Sequence, residues 1–124
     1  MTQQTDRSSL LAVNLPELLA RVDNDIDLVR ELIGIFQDEF PLLLRLLQES
    51  VACEDAKRVE TTSHGLRGMF SSLSAMPAAA LAGRLEELGR EGKTSGLAGA
   101  LLLFEHEAAN VRSELNAYLA EANS

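Results

Sequence analysis

Residues Leu97 to Tyr118 read LAGALLLFEHEAANVRSELNAY, and Leu97, Leu101, Phe104, Ala108, Val111, Leu115 and Tyr118 recur in alternating steps of four and three. That spacing is a heptad seam: it brings every third or fourth side chain to one side of an α-helix and predicts a long helix packed along one edge. The same periodicity runs through Val29, Leu32, Ile33, Phe36, Phe40, Leu43 and Leu47, with Arg30, Asp38, Arg45 and Glu49 on the other face. It predicts a second long helix, opened by Asp25 or Asp27 after the turn cluster Asp23-Asn24-Asp25. Pro41 falls inside this pattern, where a missing donor and a steric clash predict a kink or a local loosening.

Shorter helices fill the rest. Asn14, with Pro16 in the first turn and Glu17 three residues on, caps a short one running to about Val22. Another spans about Asp55 to Ser74 with Val59, Leu66, Phe70 and Leu73 buried, and Pro77 biases Met76 away from helix. The next carries Leu81, Leu85 and Leu88 and ends near Gly89 or Gly92, while Ser95 is placed to cap the last. The architecture expected is all-α: an antiparallel up-down four-helix bundle with an additional short N-terminal helix. Residues 1–13 are expected to be a flexible N-terminal tail and residues 14–122 the bundle domain.

Composition agrees. In 124 residues, 46% hydrophobic but only 4% aromatic with no Trp, a single helical core is favoured over strands. The net charge of −8 repels nucleic acid and anionic lipid, and no apolar run approaches a membrane span. A lone Cys53 and the lack of a basic, apolar leader in Met1 to Leu11 point to a soluble protein of the reducing cytoplasm.

The two histidines differ. With Val59 at zero on the helical wheel, Leu66, Phe70 and Leu73 lie within roughly 40° of it, whereas His64 projects near 140° and Gly68 near 180°. His64 therefore faces out, with a cation one turn away at Arg67 and a hydroxyl at Ser71. Gly68 costs roughly 1 kcal/mol against Ala in a helix, and its bare backbone lets another surface approach. His106 also faces out, but Glu105 and Glu107 flank it and would repel a phosphate.

The run Ser63-His64-Gly65-Leu66-Arg67-Gly68 resembles the His-x-Leu-Lys/Arg-Gly signature of histidine phosphotransfer (HPt) domains. Leu73 and Ala75 fit that family's apolar and small positions, and Leu85-Glu86 its Leu-Glu in the following helix. Leu28 to Phe36 and Phe40-Pro41 are similar to its second helix, so the likeness spans about Leu15 to Tyr118. Phe70, Ser72 and Ser74 depart from the small residue, Asn and Gly of many members, and Arg67 replaces the commoner Lys, trading a point charge for a planar fork.

The resemblance implies a phosphorelay intermediate in which His64 carries a phosphoryl group between receiver-domain aspartates of response regulators and of a hybrid histidine kinase. Neutral imidazole, with an unperturbed pKa of about 6.5, is a nucleophile near neutrality. Arg67 would hold the phosphoryl oxygens, and Ser71 or Glu60 would hydrogen-bond the imidazole, although Glu60 is equally placed to pair with Lys57 or face water. Gly68 would admit the partner, with Lys57, Thr61 and Gly65 on the docking patch of the third helix and the facing second helix. The implied chain is a monomer without cofactor, metal or ATP site. Mg²⁺ is expected on the receiver, whose site supplies the catalysis, and Gly-x-x-x-x-Gly-Lys patterns are missing.

Three other readings share some of these features. A di-metal bundle needs Glu-x-x-His elements, and the chain has none. In the dimerising histidine domain of a sensor kinase an acidic residue and a proline follow the histidine, where Gly65 and Gly68 stand here. A docking or adaptor bundle whose His64 is never phosphorylated has the same pattern and is separated only by experiment.

Overall fold

The computed structural model describes residues 11–123. Among the described residues five α-helices follow one another: α1 (Leu15–Arg21), α2 (Ile26–Ala52), α3 (Ala56–Ser72), α4 (Met76–Glu91) and α5 (Leu97–Ala122), with a 3-10 turn at Thr94–Gly96 before the last. No strand occurs among the described residues. Asn14, Asp25 and Asp55 each accept a hydrogen bond from the backbone three residues on, at 3.1, 3.1 and 3.2 Å, and so start α1, α2 and α3. Connections of a few residues turn the chain back each time.

The long helices run antiparallel. Gln37 of α2 bonds Asn116 of α5 and Gln48 bonds Glu105, so one index falls as the other rises. Likewise Gly89 of α4 lies against Ala56 and Glu60 of α3, while Gly83, earlier in α4, lies against the later Arg67. The expected stripes are inside: Val29, Ile33, Phe36, Phe40 and Leu47 from α2, Val59, Leu66 and Phe70 from α3, and Leu97, Phe104, Ala108, Val111 and Leu115 from α5 are all buried. All four phenylalanines of the chain meet at the centre. Phe70 stands edge-on to Phe36 at 5.4 Å, Phe40 at 5.6 Å and Phe104 at 5.5 Å, tying three helices together. The residue that departs from the family's small one thus fills the middle of the core.

Helix α2 continues through Pro41, whose ring lies on the exposed face, where the Gln37 carbonyl it deprives of a donor is open to water. Other local expectations are corrected. Met76 is the first residue of α4 rather than outside it, because Pro77 sits in the first turn, where no backbone donor is needed. Ser95 lies within the 3-10 turn, and Gly96 caps α5 without a side-chain bond. Helix α4 ends at Gly92, whose φ of 70° is left-handed, while Gly89 is interior.

Of the stretch expected as a tail, Leu11 to Val13 fall within the described residues, and residues 1–10 lie outside them. Ala12 and Val13 are buried, and their N–H groups donate to the two carboxylate oxygens of Glu114 on α5 at 2.8 and 2.9 Å. The Asn14 N–H then donates to the Ser74 carbonyl, and Arg21 donates to the Ser71 carbonyl and the Ser74 hydroxyl. Ser74, at the family's glycine position, is left-handed with φ 55°, and these bonds hold it at the end of α3.

The most extensive helix pairing is α3 with α4. At its crossing a Cβ on Gly89 would stand 2.7 Å from both the Ala56 carbonyl oxygen and the Glu60 nitrogen, so only glycine lets the two backbones touch. Gly89→Ala is expected to lower stability by about 1–3 kcal/mol through overpacking against rigid backbone. Gly34→Ala, where a Cβ meets nothing within 4 Å, is expected to raise it by about 0.5–1 kcal/mol. Urea unfolding of both variants checks the pair.

Candidate functional site

The crossing at Gly89 sets α4 against the outward edge of α3, and Glu86, one turn earlier on α4, reaches His64. The His64 side chain is 66% exposed and its Nδ1 is 2.9 Å from Glu86 Oε2, while the Glu86 side chain is only 6% exposed. Three bases surround that carboxylate. Arg90 Nη2 donates to Oε2 at 3.1 Å, and Arg67 Nε stands 3.3 Å from Oε1, an ionic contact without the alignment of a hydrogen bond. Arg90 also reaches Glu60 at 3.4 Å, and Glu60 pairs with Lys57 at 3.7 Å. A chain of alternating charge, Lys57, Glu60, Arg90, Glu86 and Arg67, thus runs along the α3–α4 seam and ends under the imidazole.

Charge complementarity assigns the ring's proton. An ionised carboxylate only accepts, so Nδ1 must donate, and in the neutral ring Nε2 then carries the free lone pair. Arg67 Nη2, 3.4 Å from the same Nδ1, is left as an electrostatic neighbour. The exposed ring is therefore anchored by one nitrogen and bare at the other, which suits it for nucleophilic attack on an incoming electrophile. Lys57, Glu60, Thr61, His64 and Glu86 line a shallow depression here.

The anticipated residues divide. Arg67 lies beside His64, and Gly68 and Gly65 are exposed with open space where a Cβ would be. Lys57 and Thr61 are exposed two turns and one turn before His64 on α3. Glu60 holds Lys57 and Arg90 instead of the imidazole. Ser71 is two turns along the helix from His64, and its carbonyl is taken by Arg21; no bond joins it to the ring. The imidazole's partner is Glu86, with Arg90 behind it. The signal for Glu86 lies in the spacing of Ala79, Ala82 and Gly89: a carboxylate amid small residues on a close-packing face must meet cations from the facing helix. His106 is exposed and makes no such contact among the described residues.

On the other side of α3, an apolar groove of about 360 Å³ opens between α2 and α3, lined by Leu32, Ile35, Leu43, Gly65 and Met69. Ile35 and Leu42 project from α2 along the same flank, half or more exposed. No group of three His, Cys, Asp or Glu side chains gathers as a metal site among the described residues, and no described helix is long and apolar enough to cross a membrane.

The family model of the Hpt domain matches residues 31–122, from within α2 to the end of α5. The chain belongs to the Hpt domain family. No curated protein and no solved structure matches it significantly. Hpt domains are histidine phosphotransfer modules of two-component signalling that engage receiver domains of response regulators and kinases. In this Hpt domain the signature lies on α3, so His64 stands on the helix that packs closest to α4.

In long-range ¹⁵N–¹H spectra, the neutral His64 ring is expected to show a protonated Nδ1 and a bare Nε2. His106 is expected to show the opposite tautomer, and Glu86→Ala to return His64 to the pattern of His106.

Proposed function

We propose that this Hpt domain is a phosphorelay intermediate, with His64 Nε2 taking a phosphoryl group from the aspartyl phosphate of one receiver domain and giving it to the aspartate of another. The observation that carries the reading is the exposed ring, tethered through Nδ1 by a buried carboxylate and bare at Nε2. In loading, the Nε2 lone pair forms the P–N bond, the P–O bond to the aspartate breaks, and its electron pair leaves with the carboxylate. In-line attack needs the nitrogen inside the partner's site, which an exposed imidazole beside two bare glycines allows.

Each support residue has a part. Arg67, tied at rest to Glu86 and beside the ring, is close enough to turn a guanidinium N–H toward the phosphoryl oxygens. Gly68 and Gly65 leave the approach clear. Lys57 and Thr61 border the ring on the docking face, and the apolar groove between α2 and α3 would seat a partner's nonpolar side chain beside them. The Lys57, Arg67 and Arg90 charges sit where an acidic receiver pocket would arrive, although the chain as a whole is at −8. The receiver would bring the Mg²⁺ and the catalytic groups. This chain would bring the nucleophile, without a cofactor or ATP site of its own, and act as a cytoplasmic monomer.

Mixing the protein with phosphorylated receiver domains is expected to give an acid-labile label that is lost in His64→Ala and kept in His106→Ala. Absence of transfer from every cognate receiver would leave a docking module. Gly68→Gln is expected to slow transfer roughly tenfold or more by obstructing the approach, with helicity by circular dichroism unchanged. Wild-type transfer in that folded variant would remove the steric role of Gly68.

A further inference from the structure

A carboxylate buried beneath an exposed imidazole is costly to place, and a neutral amide would hold the ring's orientation as well. Its charge therefore calls for a purpose of its own. We propose that Glu86 is a positioning residue for the phosphorylated state: it keeps the proton on Nδ1 while Nε2 carries the phosphoryl group, and so makes the P–N bond quick to break. The inference rests on the reading of His64 as the phosphoryl carrier.

The electron count explains the gain. When an attacking oxygen forms its P–O bond, the P–N electron pair returns to Nε2. If Nδ1 still holds its proton, the ring departs as neutral imidazole. If that proton has been lost, the ring would have to depart as imidazolate, a far poorer leaving group. Phosphorylation leaves the Nδ1-protonated ring with a formal positive charge, and an anion 2.9 Å from Nδ1 favours it.

The other charges around the ring are accounted for. From α3 come Lys57, Glu60 and Arg67, and from α4 Arg90 beside Glu86. The cations oppose a positive ring, but Lys57 and Arg90 are engaged by Glu60, and Arg67 and Arg90 by Glu86 itself. Of the groups from α2, Glu39 lines the groove on the far side of α3. Glu86 is the acid in direct contact with the imidazole.

The test is the pH profile of phosphohistidine hydrolysis. Phosphoramidate, a small donor whose P–N bond breaks to release ammonia as the new P–N bond forms, loads the protein without a receiver. The label is expected in wild type and Glu86→Gln and to be lost in His64→Ala. In Glu86→Gln the rise of the hydrolysis rate is expected to move to lower pH, lengthening the phosphoprotein's lifetime near neutrality about tenfold, the worth of one charge-assisted hydrogen bond. A purely orienting Glu86 would leave the profile in place, because glutamine still accepts from Nδ1. Superimposed profiles overturn the proposal, as does a wild-type protein that takes no label on His64. Should the variant fail to fold, the wild-type phosphoprotein is compared with the same chain unfolded in urea; equal lability near neutrality again overturns it. Failure of transfer from receivers, with these profiles still separated, would count against the relay role alone.

Discussion

Everything at the His64 face depends on how closely two helices approach. At Gly89 the backbone of α4 lies against the Ala56 carbonyl and the Glu60 amide, a distance that admits no Cβ. Helices that approach this closely let a side chain as short as glutamate span the gap one turn away. Glu86 therefore arrives under the imidazole with its carboxylate out of water, and Arg67, Arg90 and His64 close over it. A larger residue at 89 would part the helices, and the carboxylate would lose its partners while keeping much of its desolvation cost.

The seam sorts charge in a useful way. A buried anion is tolerable only if cations meet it, and two arginines do so from opposite helices. They leave the third position to the imidazole Nδ1 as a donor, and most of the ring is open to solvent. An exposed side chain thereby acquires a defined orientation and tautomer, which a histidine on an isolated helix would lack. The bundle's aromatic core supports this from below: Phe70, on the inner face of α3, locks that helix against α2 and α5 through three ring contacts. Its end is held in turn by the N-terminal segment, through Asn14 and Arg21.

The outer surface of α3 is thus divided. One flank carries the charged seam with α4, the other the apolar groove with α2, and the bare strip of Gly65 and Gly68 lies beside the histidine. A partner laid across α3 would meet cations, a nucleophile and a nonpolar recess within one footprint. The local charge, opposite in sign to that of the whole chain, is what such a partner would encounter first.

Periodicity alone determined the helices, their buried faces and the outward direction of His64, because a 3.6-residue repeat ties sequence position directly to a side of the helix. Some capping residues were legible for the same local reason, as Asn14 and Asp25 show, and the His-x-Leu-Arg-Gly run marked the family. Met76 and Ser95 were misjudged where a neighbouring turn outweighed local preference. The imidazole's partner was beyond such rules. Ser71 and Glu60 were sought on the helix of His64, one at a distance of two turns and the other already engaged by Lys57 and Arg90. Glu86 lies 22 residues away on another helix, and only the crossing at Gly89 brings it within hydrogen-bonding reach. Sequence spacing encodes which side of a helix a residue occupies; which side of the neighbouring helix meets it, and at what depth, is settled by packing.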